Sequence, residues 1–188
     1  MKEAGPRWLA FALRMAEEER RGPPAPPDDA ALLSAVGWIE KDLTNPVSTS
    51  AGRLLLCDAV SPLRLPDDGS GWLWTGVEIG PGGAVAPTGA GGLLLNLMDI
   101  DAAHEDEFND WYDTEHLPRM AAVDGVMMAR RFRSETDSPR YLASYHLSEL
   151  AVVAGETWKE AANTPWTARM RRHRTGLVRK GFVPFQGG

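Results

Sequence analysis

The chain has 188 residues, with 43% hydrophobic and 24% charged residues, which is typical of a globular protein with one large core or two small ones. A net charge of −6 argues against broad nucleic-acid binding. The single cysteine, Cys57, excludes an internal disulfide framework, and no signal peptide or membrane-length apolar run is recognisable, so we expect a cytoplasmic protein without a membrane partner.

Residues 1–80 form the first predicted unit. The stretch from Trp8 to Met15 fits either an amphipathic helix or a strand, and the proline-rich spacer GPPAPPDD that follows cannot continue a helix. Residues 28–43, DDAALLSAVGWIEKDL, begin with capping-type aspartates and carry apolar residues at a 3.6 period, which predicts a helix. VGWIEKDL could instead be a strand. RLLLCDAV and GWLWTGVEI are predicted as two further strands.

A glycine-rich segment, residues 81–92, is predicted to be a linker between this unit and a second one at 93–186. A phosphate-binding loop would need a helix after it, whereas an apolar strand follows.

The second unit has a regular order of predicted elements, βαββαβ, which is the split βαβ or ferredoxin-like motif. Both helices then cover one face of an antiparallel sheet, in the α+β class. The other face is apolar and must be covered, either by a second copy of the chain or by residues 1–80. The strands are LLLNLMDI, VMMARRFRS, YLASYHLS and LVRKGFVPF, and the helices are His104 to His116 and Leu150 to Thr164, with a short helix after Pro165.

The first of these helices is acidic and aromatic. Phe108, Trp111 and Tyr112 are spaced i, i+3 and i+4, so their rings share one helical face. Pro118 disfavours a helical Leu117, so the helix is predicted to end near His116.

The run EFNDWYDTEHLPRM, followed by DGVMMARRF, PRYLASYHL and PWTARMR, resembles the dimeric α+β barrel superfamily, particularly EthD-like and antibiotic-biosynthesis-monooxygenase-like proteins. The resemblance covers about residues 91–185. It implies a ferredoxin-like module that forms half of an α+β barrel, with the N-terminal half as a candidate degenerate first copy that lacks the WYDTEHLP run. Superfamily members include cofactor-independent monooxygenases, isomerases, dehydratases and haem-binding proteins, so the fold leaves the activity open.

The resemblance places His116 at the mouth of a cleft between the first helix and the sheet, where a neutral imidazole suits proton transfer. The alternative is a cationic cap on the helix end. Glu115 is a candidate general acid or base, with an ion pair to Arg130 or Arg131 as its structural alternative. His146, on a predicted strand, is either a third catalytic residue or a hydrogen-bonded core residue.

Four residues are candidate ligand contacts. Asn96 would orient a carbonyl or bond a neighbouring side chain, and Arg131 would hold an oxygen atom. Trp111 and Tyr112 would stack on an aromatic ring, with core packing as the alternative, above all for Trp111. No metal is expected, because His104 and His116 lie twelve residues apart, ~18 Å along a helix, and cannot share one ion. No cofactor is expected. The cations that follow Glu160 are interpreted as a solvated helix end rather than a phosphate site.

Together these features predict an EthD-like small-molecule enzyme without a cofactor. It would carry out proton transfer, as an isomerase or dehydratase, or monooxygenation of a hydrophobic oxygenated ring or polyketide-like compound. The alternative is a non-catalytic binding or accessory protein that uses the same cleft, and whether the chain is an enzyme stays open. A third reading is an assembly role, which a sealed, leucine-filled barrel would favour. The expected partners are a small hydrophobic molecule and a second copy in a homodimer.

Overall fold

In a computed structural model, the described residues are 7–15, 22–44, 49–65, 67, 69, 71–80 and 85–185. Eight antiparallel strands close into one barrel in the order β1-β3-β2-β8-β5-β7-β6-β4, and β1 pairs with β4 to complete it. The strands are β1 (Trp8–Met15), β2 (Leu32–Lys41), β3 (Thr49–Ala59), β4 (Gly71–Glu78), β5 (Gly92–Ile100), β6 (Val126–Arg133), β7 (Tyr141–Leu147) and β8 (Arg174–Pro184).

The barrel interior is a mostly apolar core that also holds the buried polar residues Asp58, Arg130, Ser144 and His146. Alternate residues along each strand point inward, as the twofold period of a strand requires. The apolar inward side chains are large and almost fully buried. They are Leu9, Phe11, Leu13, Trp38, Leu54, Leu56, Trp74, Leu93, Leu95, Leu97, Phe132, Leu142 and Phe182.

A layer of short helices covers the outer face of the C-terminal strands. It contains α1 (Glu105–Trp111), α2 (Leu117–Ala121), α3 (Glu156–Ala162) and α4 (Pro165–Met170). Phe108, Trp111 and Trp158 pack from these helices onto Leu94 and Met98 of β5. The predicted α+β class and ferredoxin-like module are confirmed.

The two halves of the barrel share one strand order. The C-terminal strands run β8-β5-β7-β6, and the N-terminal strands run β4-β1-β3-β2, so each half places its fourth, first, third and second strand in that sequence. The described part of residues 7–80 contains no helix. That the N-terminal half is a degenerate copy, with domain limits at 80 and 93, stays a prediction.

The helix predicted over residues 28–43 is wrong, because Leu32–Lys41 is the strand β2. Pairing with β3 on one side and β8 on the other outweighs the helical spacing of its apolar residues. Trp38 is 2% exposed inside the barrel, whereas Val36, part of the helical pattern, is 38% exposed. The open choice at Trp8–Met15 is settled as a strand.

The predicted helix end near His116 is also wrong. Residues Tyr112–His116 form a single π-helical turn, and the chain continues without a break into α2. The Leu117 N–H donates to the Tyr112 carbonyl, five residues earlier. This wider turn accommodates Pro118, which has no N–H to donate and whose ring clashes with the carbonyl four residues earlier in a regular α-helix.

The second predicted helix, Leu150 to Thr164, is shorter and divided. A 3₁₀ turn at Leu150–Ala154 is separated from α3 by Gly155, whose backbone is extended. Thr164 then caps α4, as its side chain accepts a hydrogen bond from the Thr167 N–H. None of the described helices has the length and apolar character needed to cross a membrane.

Strands of the same chain cover the apolar face of the C-terminal sheet. The pairs β2·β8 and β4·β6 join the two halves edge to edge. A second copy is therefore not needed to bury that face, and the homodimer stays an untested prediction.

Candidate functional site

The floor of the candidate site is a row of residues across the outer face of the C-terminal sheet. Arg179 pairs with Asn96, Asn96 with Ala143, and Ala143 with Arg131 across four adjacent strands. Residues directly opposite one another on neighbouring strands project to the same face. Ala143 belongs to the core cluster beneath the helices, which identifies that face.

The roof is the π turn together with the last residue of α1. His116 is 8% exposed. Its imidazole stacks on Trp111, with ring centroids 4.3 Å apart and planes at 26°, and meets the ring of Tyr112 edge-on at 5.1 Å. Tyr112 and His116, the first and last residues of the π turn, are both buried.

Five polar atoms buried in this layer have no hydrogen-bond partner among the described residues: Asn96 Oδ1, Trp111 Nε1, His116 Nδ1, Arg131 Nε and Tyr145 Oη. More than about nine in ten buried polar groups in native proteins are hydrogen-bonded. Their grouping between one helix and one sheet face marks a place where a ligand or ordered water supplies the partners.

The imidazole of His116 is neutral at physiological pH. Burial, followed by the positive charges of Arg171, Arg131, Arg174 and Arg119, lowers its pKa from 6.5 to about 3. The cationic helix cap considered from the sequence is therefore contradicted.

The two tyrosines of the site are neutral phenols. Burial raises the pKa of Tyr112, and raises that of Tyr145 well above its usual value of 10. Nearby arginines act in the opposite direction, Arg131 and Arg174 on Tyr112 and Arg131 and Arg179 on Tyr145. Neutral donors inside and guanidinium groups around them favour an anionic oxygen atom as the ligand group.

Arg131 links the sheet to α1. Its side chain is 1% exposed. The guanidinium lies 4.1 Å from the ring centroid of Tyr112, 4.9 Å from that of Phe108 and 5.1 Å from that of Tyr141. It donates to Asn109 Oδ1 at 2.7 Å, which holds the floor and the roof in one geometry.

The structure brings five of the predicted residues together, namely Asn96, Trp111, Tyr112, His116 and Arg131. Glu115 instead accepts a 2.5 Å hydrogen bond from the hydroxyl of Thr164, and so ties the π turn to the start of α4. The predicted ion pair of Glu115 with Arg130 or Arg131 is wrong: Arg130 pairs with Asp58 and Glu78, and Arg131 with Asp113.

His146 lies on the opposite face of β7, inside the barrel. It is 1% exposed and its ring centroid is 6.1 Å from that of Trp38. Burial, followed by the charge of Arg130, lowers its pKa to about 4. The sheet separates it from His116, so the two histidines do not share a site.

Sequence reasoning missed Tyr145, Arg174 and Arg179. The signal for Tyr145 was present, because YLASYHL alternates and places Tyr145 on the face of Ala143. The arginines belong to the cation-rich segment after Glu160, which we interpreted as solvent-exposed. Arg171 and Arg179 are indeed exposed, whereas Arg174 is half-buried.

No family model and no curated protein match this sequence. Solved structures with the same fold do exist. An uncharacterised ferredoxin-fold protein from Listeria monocytogenes, related to antibiotic biosynthesis monooxygenases, superposes with a TM-score of 0.56 at 7% identity, over 97% of this chain and 96% of its own. A chlorite dismutase variant from Candidatus Nitrospira defluvii gives 0.57 at 11% identity, over 97% and 92%.

A third structure, a staphylococcal regulator of pathogenesis, gives a TM-score of 0.60 at 5% identity, over 95% of this chain and 99% of its own. These likenesses confirm the ferredoxin-like α+β architecture over at least 95% of the chain. One of the three proteins is a chlorite dismutase, one a regulator and one uncharacterised, so the fold by itself assigns no function.

Proposed function

We propose that this chain is an EthD-like small-molecule enzyme whose site is the cleft between the π turn and the outer face of the C-terminal sheet. Its substrate is a hydrophobic, oxygenated ring or polyketide-like compound, bound as an enolate or phenolate. The observation that carries the proposal is the group of unpartnered buried atoms of Asn96, His116 and Tyr145 beneath an arginine-rich edge.

The chemistry follows from the charges. Guanidinium groups such as Arg174 and Arg179 favour the deprotonated form of an acidic hydroxyl group that enters the cleft. The hydroxyl of Tyr145 and the Nδ2 amino group of Asn96 are neutral donors for the resulting oxyanion, whereas the unpartnered Asn96 Oδ1 can accept from a substrate hydroxyl. Trp111 and Tyr112 provide the aromatic surface for the ring.

Proton transfer is the reaction that these residues support without a cofactor. The substrate loses a proton to His116 Nδ1, and the enolate is stabilised as its oxygen accepts hydrogen bonds. Return of that proton to a different carbon gives an isomer, or assists loss of hydroxide in a dehydration. The negative charge of the enolate offsets the arginines that lower the pKa of His116, so the imidazole becomes a stronger base once the substrate is bound.

Monooxygenation is the second reaction of the same site. An enolate or phenolate is electron-rich and can itself reduce O₂, which is the oxidant. One oxygen atom enters the substrate as a ring CH₂ group is oxidised to a carbonyl, and the other leaves as water, so the substrate supplies all four electrons. The Listeria protein's relationship to antibiotic biosynthesis monooxygenases supports this only at the level of a monooxygenase-like, small-molecule function.

A non-catalytic binding protein that uses the same cleft is the alternative. The pKa of about 3 for His116 in the unliganded protein favours this non-catalytic alternative. A general base works best with a pKa near the working pH.

Binding of 4-nitrophenol tests the proposal, because its phenolate has its own visible absorption. We expect wild-type protein to raise the ionised fraction at a pH near the nitrophenol pKa, and Arg174→Gln to abolish much of this effect. Arg172→Gln, which removes an exposed arginine two positions away, is the matched control and should behave like wild type. Unchanged ionisation with wild-type protein contradicts the proposal.

The enzyme and the binding protein are separated by His116→Ala. An enzyme loses turnover and keeps ligand affinity, whereas a binding protein has no turnover to lose. Deuterium exchange into an enolisable aryl ketone that displaces nitrophenol, followed by NMR, measures that turnover.

A further inference from the structure

A second group of side chains lies at the other end of the α1 segment. Asp101 follows β5, His104 ends the short 3₁₀ turn Ala102–His104, and His173 lies in the turn between α4 and β8. One potential ligand atom from each of the three lies within 4.8 Å of the others. The two imidazole rings stack with centroids 3.5 Å apart and planes at 15°.

Backbone hydrogen bonds fix the three residues relative to one another. The Asp101 N–H donates to the His173 carbonyl at 3.0 Å, and the His104 N–H donates to the Asp101 carbonyl at 2.8 Å. The two oxygen atoms of the Asp101 carboxylate make different contacts. Oδ1 accepts the Ala103 N–H at 3.0 Å, while Oδ2 lies 3.5 Å from His104 Nδ1.

His104 Nδ1 is buried and has no hydrogen-bond partner among the described residues. A buried imidazole nitrogen without a partner is costly in an ordinary turn and is explained by a ligand that it contacts. The group is also accessible, since the side chains of His104 and Asp101 are 32% and 56% exposed.

We propose that Asp101, His104 and His173 bind a divalent transition-metal ion of the Zn²⁺ class. Two imidazole nitrogens and one carboxylate oxygen are a donor set that Zn²⁺ accepts, with water completing the coordination. Because the two rings are stacked, binding of one ion by both requires rotation about their Cβ–Cγ bonds.

The sequence-based expectation of no metal rests on His104 and His116, which are too far apart to share one ion. The fold supplies a different partner, His173, which is distant in sequence and adjacent in space. The ion would tie the start of α1 to the start of β8. This site is separate from the proposed cleft, because His116 lies ~18 Å along the helical segment from His104. The proposal therefore does not rest on the proposed function.

Zinc competition against a chromophoric chelator, with protein that carries no histidine tag, tests this site. We expect one equivalent of Zn²⁺ to bind, a Co²⁺ absorption spectrum with nitrogen ligands, and a higher melting temperature with metal. His104→Ala and His173→Ala should each weaken Zn²⁺ binding by at least about 10- to 100-fold.

Asp106→Asn is the matched control, since it removes a neighbouring exposed carboxylate and should leave binding unchanged. The spectrum of wild-type protein is informative even if a variant does not fold. Wild-type protein that binds no Zn²⁺ and gives the Co²⁺ spectrum of the free aqueous ion overturns the proposal. So does binding that survives the double substitution of His104 and His173 in folded protein.

Discussion

The imidazole of His116 stacks on the indole of Trp111, with ring centroids 4.3 Å apart. This contact depends on the π turn, which begins directly after Trp111 and ends at His116. In a regular α-helix, two residues five positions apart, such as Trp111 and His116, lie on different sides of the helix. The irregular turn therefore forms the roof of the proposed site, in keeping with the frequent occurrence of π-bulges at functional sites.

Acid should destabilise the protein through His116. Its pKa is about 3 in the folded chain and near 6.5 when unfolded, so below pH 6.5 the unfolded state binds more protons. The contribution of His116 to stability is complete above pH 6.5 and is lost as the pH falls toward 3, at up to about 1.4 kcal/mol per pH unit. Urea unfolding of His116→Gln should show a smaller loss over this range than wild type. Equal losses in the two proteins would contradict the assignment.

Tyr145→Phe separates ligand binding from stability. The hydroxyl has no partner in the described structure, so its removal should change the free energy of unfolding by less than about 1 kcal/mol. Nitrophenolate affinity should fall by about 10- to 100-fold, because a hydrogen bond to a charged group is lost. Urea denaturation and ligand titration on the same preparation measure both. A stability loss without an affinity change would show that Tyr145 serves only the core.

Arg131 should be essential for the packing of α1 against β6. Arg131→Met removes the hydrogen bond to Asn109 and the stacking on Tyr112, and should cost more than about 2 kcal/mol of stability. Arg131→Lys should recover little of this, since an ammonium group cannot reproduce a planar guanidinium. Thermal unfolding of both variants is the measurement, and full recovery by lysine would argue against stacking as the cause.

Asp58 should be needed to close one end of the barrel. Its buried carboxylate pairs with Arg130 and accepts the Ala86 N–H at 3.2 Å, which attaches the segment before β5 to the barrel. Asp58→Ala should destabilise the fold by about 3 kcal/mol, since it removes one partner of a buried ion pair. Asp110→Ala, at an exposed helical position, is the control. Chemical denaturation that shows equal effects would refute this role for Asp58.

Much of the C-terminal half was predictable because its local signals agree with its fold. The strand alternation around Asn96 and the i, i+3, i+4 rings from Phe108 to Tyr112 both matched the final layers. The N-terminal half was harder. In β2, apolar residues at helical spacing conflict with the two neighbouring strands that pair with it, and such pairings are not visible locally.

The candidate site was predictable only in part for a similar reason. His116 and Asn96 stand out in the sequence as polar residues in apolar surroundings. Arg179 joins them only because β8 pairs with β5 in a particular register. In the same way, His146 is separated from His116 because it lies on the other face of the sheet. The alternation of β7 shows that His146 and Tyr145 face opposite sides, but not which side the helices cover.

A crystal structure of the protein with bound 4-nitrophenol tests the central claim most directly. We expect the ring to lie between Trp111 and the Ala143 floor, with its oxygen within hydrogen-bond distance of Tyr145 Oη or Asn96 Nδ2. Nitrophenol bound only elsewhere, for example in the surface groove lined by Glu40, Leu43 and Lys180, would contradict it.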